Sequence, residues 1–122
     1  MSNKTLINRI VPNIYSNHVE GCKYFYTVFL EMDLIMDMGW IVTFASKSNP
    51  TAQITVLKYE GKEQLNNDTT FLSIEVSDVD KFYNKAKELN CEIVYPITDE
   101  PWGVRRFFIK DPNGATINIL AH

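Results

Sequence analysis

The stretch Trp102–Leu120, WGVRRFFIKDPNGATINIL, holds two β-forming runs around the tetrapeptide Asp111-Pro112-Asn113-Gly114. Proline presets the backbone angle a turn needs at its second position, asparagine bonds back to its own backbone, and glycine accepts a positive φ. The spacing therefore predicts two strands, Val104–Lys110 and Ala115–Leu120, joined as a hairpin. Within the last run Asn118 is the only polar side chain among Ile117, Ile119 and Leu120, so its position asks for a reason.

Working back from this hairpin, Glu92–Tyr95 reads as a short strand. Before it, Val79, Phe82, Tyr83, Ala86 and Leu89 recur at helical spacing, and Ser77 with Asp80 three residues later resembles a helix-opening box. Thr70–Val76 alternates cleanly and reads as a strand. The segment order is βαβββ. The first half shows the same plan: a β-branched strand over Leu6–Ile14, and a helix opened by Asn17 with Glu20 three residues on. That helix carries Val19, Cys22, Phe25, Tyr26 and Phe29 on one stripe. Three strands follow, at Leu34–Asp37, Trp40–Ser46 and Gln53–Lys58. Glu60–Thr69 is polar and reads as a loop. The two proposed caps lie 60 residues apart in a chain of 122, which marks an internal repeat of plan rather than of letters.

A βαβββ unit has one helix to cover its sheet, so one sheet face stays open unless something else uses it. The expected architecture is α+β: two βαβββ modules, about 1–62 and 63–122, forming a curved mixed sheet around a central hollow, helices outside, within a single domain. Composition fits a soluble globular protein, 45% hydrophobic and 22% charged, with formal net charge −3. That balance gives no sign of a nucleic-acid or anionic-membrane partner. No run of about 18 apolar residues exists to span a bilayer, and the N-terminal run lacks a signal-type apolar core, so a cytoplasmic location is expected. Cys22 and Cys91 have neither CxxC nor zinc spacing and read as buried free thiols. No Ser-His-Asp, Cys-His or phosphate-cradling motif is present.

The duplicated plan, the first-helix stretch NHVEGCKYFY (residues 17–26) and the stretch WGVRRFFIKDPNG (residues 102–114) resemble the vicinal oxygen chelate superfamily. That group comprises glyoxalase I, extradiol dioxygenases, fosfomycin-resistance enzymes and bleomycin-resistance proteins. In its enzymes a divalent metal sits in the hollow, held typically by a His on the first strand and a Glu on the last strand of each module. The resemblance places three of these positions here at Val11, Phe71 and Asn118. The fourth falls near Gln53–Lys58, which contains neither His nor carboxylate. Val and Phe offer no donor, and a lone amide oxygen is a weak neutral ligand. No metal, catalytic residue or cofactor is therefore expected.

Strand parity completes the expectation. Leu72, Ile74 and Val76 suit the helix side of their strand, with Phe71, Ser73 and Glu75 inward. Ile10, Pro12 and Ile14 suit the helix side of the first strand, with Val11, Asn13 and Tyr15 inward. Val104–Lys110 carries Phe on both faces, so alternation does not choose its inward face. Candidate ligand-binding residues are Asn13, Tyr15, Trp40, Phe71, Ser73, Glu75, Trp102, Arg106, Phe108 and Asn118, an apolar wall with a few polar groups. Glu75 also reads as a solvated or paired carboxylate, the two Trp as covers or stacking platforms, and Arg106 as a structural ion pair. The resemblance to the bleomycin-resistance branch implies a metal-independent homodimer that sequesters an aromatic or amphipathic molecule. A metal-dependent lyase, isomerase or dioxygenase of the same fold, and an interaction module with a vestigial hollow, are the alternatives.

Overall fold

A computed structural model describes residues 5–122. Among these residues eight strands form two four-stranded mixed sheets. The first contains β1 (Asn13–Ser16), β2 (Asp33–Asp37), β3 (Ile41–Ala45) and β4 (Gln53–Lys58), in the order β1-β4-β3-β2. The second contains β5 (Phe71–Glu75), β6 (Ile93–Asp99), β7 (Arg105–Lys110) and β8 (Thr116–Ala121), in the order β5-β8-β7-β6. In each, the first strand lies parallel to the last and the other pairings are antiparallel. The α+β class and the doubled βαβββ order are those expected.

The helices share one core with both sheets. Helix α1 (Val79–Glu88) seats Tyr83 edge-on to Phe107 of β7, ring centroids 5.0 Å apart. The first module's helical segment is shorter than expected, a 3-10 turn at Glu20–Cys22 and a π turn at Phe25–Phe29. Phe29 meets Phe82 of α1 edge-to-face at 5.9 Å, and Tyr26 stacks on Phe44 at 4.9 Å. Phe107, Ile109, Ile117 and Ile119 are fully buried on the helix side of the second sheet. At about 25 cal/mol per Å² of apolar area, this shared core is the dominant stabilising term.

Several local expectations are corrected. The first strand is not Leu6–Ile14 but Asn13–Ser16, and Ile10 is 75% exposed rather than helix-facing. Pro12, without a backbone N–H, cannot donate to a ladder, and pairing with β4 starts just after it. Asn17 does not cap the first helical turn, which starts at Glu20 with no side-chain cap; Ser16 Oγ accepts from the His18 N–H at 2.9 Å just before it. Asp78, not Ser77, caps α1, accepting from the Lys81 N–H at 3.1 Å. The strand expected at Glu92–Tyr95 runs on to Asp99, with register shifts on either side of Tyr95. Cys22 and Cys91 are free thiols, but only Cys22 is fully buried; burial raises the pKa of both. Among the described residues no helix is long and apolar enough to cross a membrane.

Candidate ligand site on the second sheet

Asp111 organises the turn that aims β8. Its Oδ1 accepts from the N–H groups of Asn113 and Ala115, both at 2.9 Å, and its Oδ2 accepts from Asn113 Nδ2 at 3.0 Å. Gly114 completes the turn at φ +87°, a conformation side chains disfavour. With the turn held, the alternation of β8 is set: Ile117 and Ile119 enter the core, and Asn118 looks away from the helices.

Cross-strand pairing puts Asn118 between Ser73 of β5 and Phe108 of β7. Asn118 is only 5% exposed, and its Nδ2 donates to Ser73 Oγ at 3.0 Å. Its Oδ1 is buried with no hydrogen-bond partner. An unmet buried acceptor costs about 1–3 kcal/mol, so a fold retains one where something else repays it.

The structure also resolves the face of β7 that the sequence left open. Phe107 and Ile109 are buried under α1, while Arg106, Phe108 and Lys110 take the opposite face with Asn118. Phe108 meets Phe71 edge-to-face at 5.2 Å and Tyr95 at 4.8 Å. The Arg106 guanidinium carbon lies 4.8 Å from the Phe108 centroid, 5.1 Å from Trp102 and 5.7 Å from Tyr95. Its Nε donates to Glu100 Oε2 at 2.8 Å, and the Tyr95 hydroxyl donates to the same oxygen at 3.0 Å. Rings, guanidinium and amide thus form one wall with polar groups at fixed points.

The ten candidate residues are not all brought together. Phe71, Ser73, Trp102, Arg106, Phe108 and Asn118 share this face. Ser73 and Glu75 also border an open cleft of about 650 Å³, whose other walls include Gln53, Ile54, Met32 and Phe82. Glu75 Oε2 pairs with His122 Nδ1 at 2.7 Å on the surface, so Glu75 is a partnered carboxylate. Asn13 and Tyr15 sit on β1, where Tyr15 packs edge-on to Tyr59 at 5.6 Å. Trp40 is half-exposed at the β2–β3 turn of the first sheet. Tyr95 and Glu100 were missed from sequence: they join the wall through an irregular β6–β7 register that no alternation pattern reveals. Arg105 points to the other face, bonded to Asp80 and Asp99, which raise its pKa.

The residues at the superfamily's metal positions do not suit a divalent ion. Val11 and Phe71 carry no donor. Asn118 offers one neutral oxygen. The residue matching Asn118 in the first sheet is Thr55, central in the row Asn13–Thr55–Thr43 as Asn118 is in Ser73–Asn118–Phe108. Its hydroxyl is engaged with Thr43 at 2.7 Å. Among the described residues no three His, Cys, Asp or Glu side chains gather as a metal-holding group.

A family model of the glyoxalase-like domain matches residues 9–121, and the chain belongs to that family. No curated protein matches the chain in sequence. Among solved structures, a member of the glyoxalase/bleomycin resistance protein/dioxygenase superfamily from Sphaerobacter thermophilus superposes with TM-score 0.80 at 19% identity, covering 96% of this chain and 98% of that one. TioX from Micromonospora sp. ML1 superposes at 0.79 with 15% identity, over 95% and 99%. Lactoylglutathione lyase from Agrobacterium tumefaciens superposes at 0.74 with 14% identity, over 98% and 96%. At such identities the likeness establishes the fold alone, a scaffold that hosts more than one chemistry.

Proposed function

We propose that this protein binds a small aromatic or amphipathic molecule on the open face of the second sheet, without a metal, and sequesters it rather than converting it. One observation carries the reading: Asn118 Oδ1 is buried and unpaired in the middle of a wall of Phe71, Phe108 and Tyr95. A ligand with a donor group repays that acceptor while its apolar part covers the rings. The donor set at the metal positions gives no comparable support to a metal-dependent reaction. We also propose a cytoplasmic homodimer. Leu34, Ile35 and Met36 leave an apolar edge strand of the first sheet exposed, surface that a second copy would cover.

The test is elemental analysis of protein purified without chelators, followed by melting scans against Zn²⁺, Ni²⁺, Mn²⁺ and Fe²⁺ and against a panel of flat aromatic compounds. A ligand at one hundred times its Kd stabilises the native state by about 2.7 kcal/mol, enough to move the melting point by several degrees. Metal-free protein that responds to aromatic compounds and not to the ions fits the proposal. A stoichiometric metal with a clear shift overturns it and turns attention to lyase, thiol-transfer and ring-cleavage assays. Sedimentation velocity reports the oligomeric state.

A further inference from the structure

We infer that the ligand of this face is an aromatic acid carrying a hydrogen-bond donor, its carboxylate on Arg106 and its donor on Asn118; the inference rests on the binding reading above and names its ligand class. Three observations carry it. Arg106 uses Nε for Glu100, and its two terminal nitrogens make no hydrogen bond among the described residues. Those nitrogens form the end of the guanidinium fork, the edge that matches a planar carboxylate in bidentate fashion. Glu100, with a side chain 9% exposed and also bonded to the Tyr95 hydroxyl, locks the guanidinium plane.

The second observation is chemical complementarity along the wall. Asn118 Oδ1 accepts and cannot donate, so it selects an O–H or N–H on the ligand. Arg106 donates and cannot accept, so it selects an anionic oxygen pair. The two residues demand opposite groups at opposite ends of one molecule.

The third is spacing. Asn118 is paired with Phe108 and Arg106 with Leu120, so Asn118 and Arg106 are diagonal neighbours across β7 and β8. Such diagonals set the two backbones about 7–8 Å apart, and the longer Arg106 side chain carries its guanidinium over Phe108 and Trp102, so the acceptor and the donor fork stand at separate points of one aromatic wall. Phe71, Phe108 and Trp102 supply faces and edges for that ring. A cationic ligand finds only N–H donors at the free edge of Arg106, and a purely apolar one leaves both polar groups unmet.

The test uses four matched probes, 4-hydroxybenzoate, benzoate, phenol and 4-hydroxybenzylamine, with Kd measured by calorimetry on wild type, R106Q and N118L. Backbone amide spectra verify that each variant is folded. In wild type, 4-hydroxybenzoate is expected to bind at least about tenfold more tightly than each of the other three, matching one charge-assisted bond. R106Q should erase the preference for 4-hydroxybenzoate over phenol. N118L should erase the preference for 4-hydroxybenzoate over benzoate. Each comparison is a ratio within one variant, so a general loss of stability does not imitate it. Benzoate, phenol or the amine binding as tightly as the hydroxy acid, either preference surviving its variant, or no binding by the four probes while other aromatic compounds bind, overturns the inference and leaves the binding reading standing. No binding by these probes or by any member of the aromatic panel overturns both.

Discussion

Tyr26 Oη donates to Asp111 Oδ2 at 2.6 Å, joining the first helical segment to the turn before the last strand across 85 positions of sequence. Tyr26 is wholly buried and Asp111 is 5% exposed. A buried hydrogen bond to a carboxylate contributes about 1.5–3 kcal/mol. Y26F should therefore lower the unfolding free energy by about that amount in urea titrations. Because Asp111 keeps its bonds to Asn113 and Ala115, the variant should still fold, and an unchanged midpoint would show the bond to be idle.

The same pair makes a pH prediction. Burial first, and the Asp111 charge second, raise the Tyr26 pKa well above the ordinary 10.0. A raised folded pKa means the stabilisation is complete below the unfolded value and is lost as pH climbs beyond it. Wild type should thus lose stability from about pH 10 upward through this group. Y26F lacks that loss, so the gap between the two proteins should narrow over the same range. A gap constant from pH 8 to 11 in chemical denaturation would contradict the assignment.

Aromatic residues on the two faces of the second sheet should separate stability from binding. Phe107 is fully buried against Tyr83, and F107A should cost about 3–5 kcal/mol. Trp102 is 64% exposed, and W102A should change stability by no more than about 0.5 kcal/mol. On the proposed binding face W102A should nonetheless weaken aromatic ligands by several-fold, since it removes one ring beside Arg106. Melting curves and ligand titrations on the same two variants distinguish these roles.

The helix starts give a further prediction. Asp78 caps α1 through the Lys81 N–H, so D78A should destabilise by about 1 kcal/mol. Asn17 makes no cap bond, so N17A should be close to neutral. If the two substitutions cost the same in thermal melts, the observed cap positions are wrong.

These caps also show what the sequence makes legible. The doubled βαβββ succession and the Asp-Pro-Asn-Gly turn are local patterns, and each was readable; the placement of the first strand was not. The α1 cap fell one position from the expected Ser77 because Ser and Asp are interchangeable in type, and the first helical segment has no side-chain cap at all; tertiary geometry decides which side chain meets a free N–H. Asn118 could be found because it breaks an apolar run on a strand of known parity. Its partner Ser73 followed from the alternation of Thr70–Val76. Tyr95, Glu100 and the orientation of Arg106 could not be found, since they depend on a register that shifts beside Tyr95. The bond from Tyr26 to Asp111 joins two modules and leaves no periodic trace.

Asn118 yields the last prediction, in which stability and binding move in opposite directions. Its Oδ1 has no partner, while Ser73, to which its Nδ2 donates, is exposed and can bond to water. N118L removes the unmet acceptor, keeps the branched shape of the side chain between Ser73 and Phe108, and strands no buried group. The variant should be as stable as wild type or more stable, by about 1 kcal/mol. If the amide serves a ligand, the same variant should bind aromatic compounds bearing a donor group more weakly by an order of magnitude, the scale of one hydrogen bond. A residue that costs stability in the free protein and returns it on binding is what a binding site predicts. A structural amide predicts the reverse: N118L destabilised in denaturant titrations, with ligand affinity unchanged.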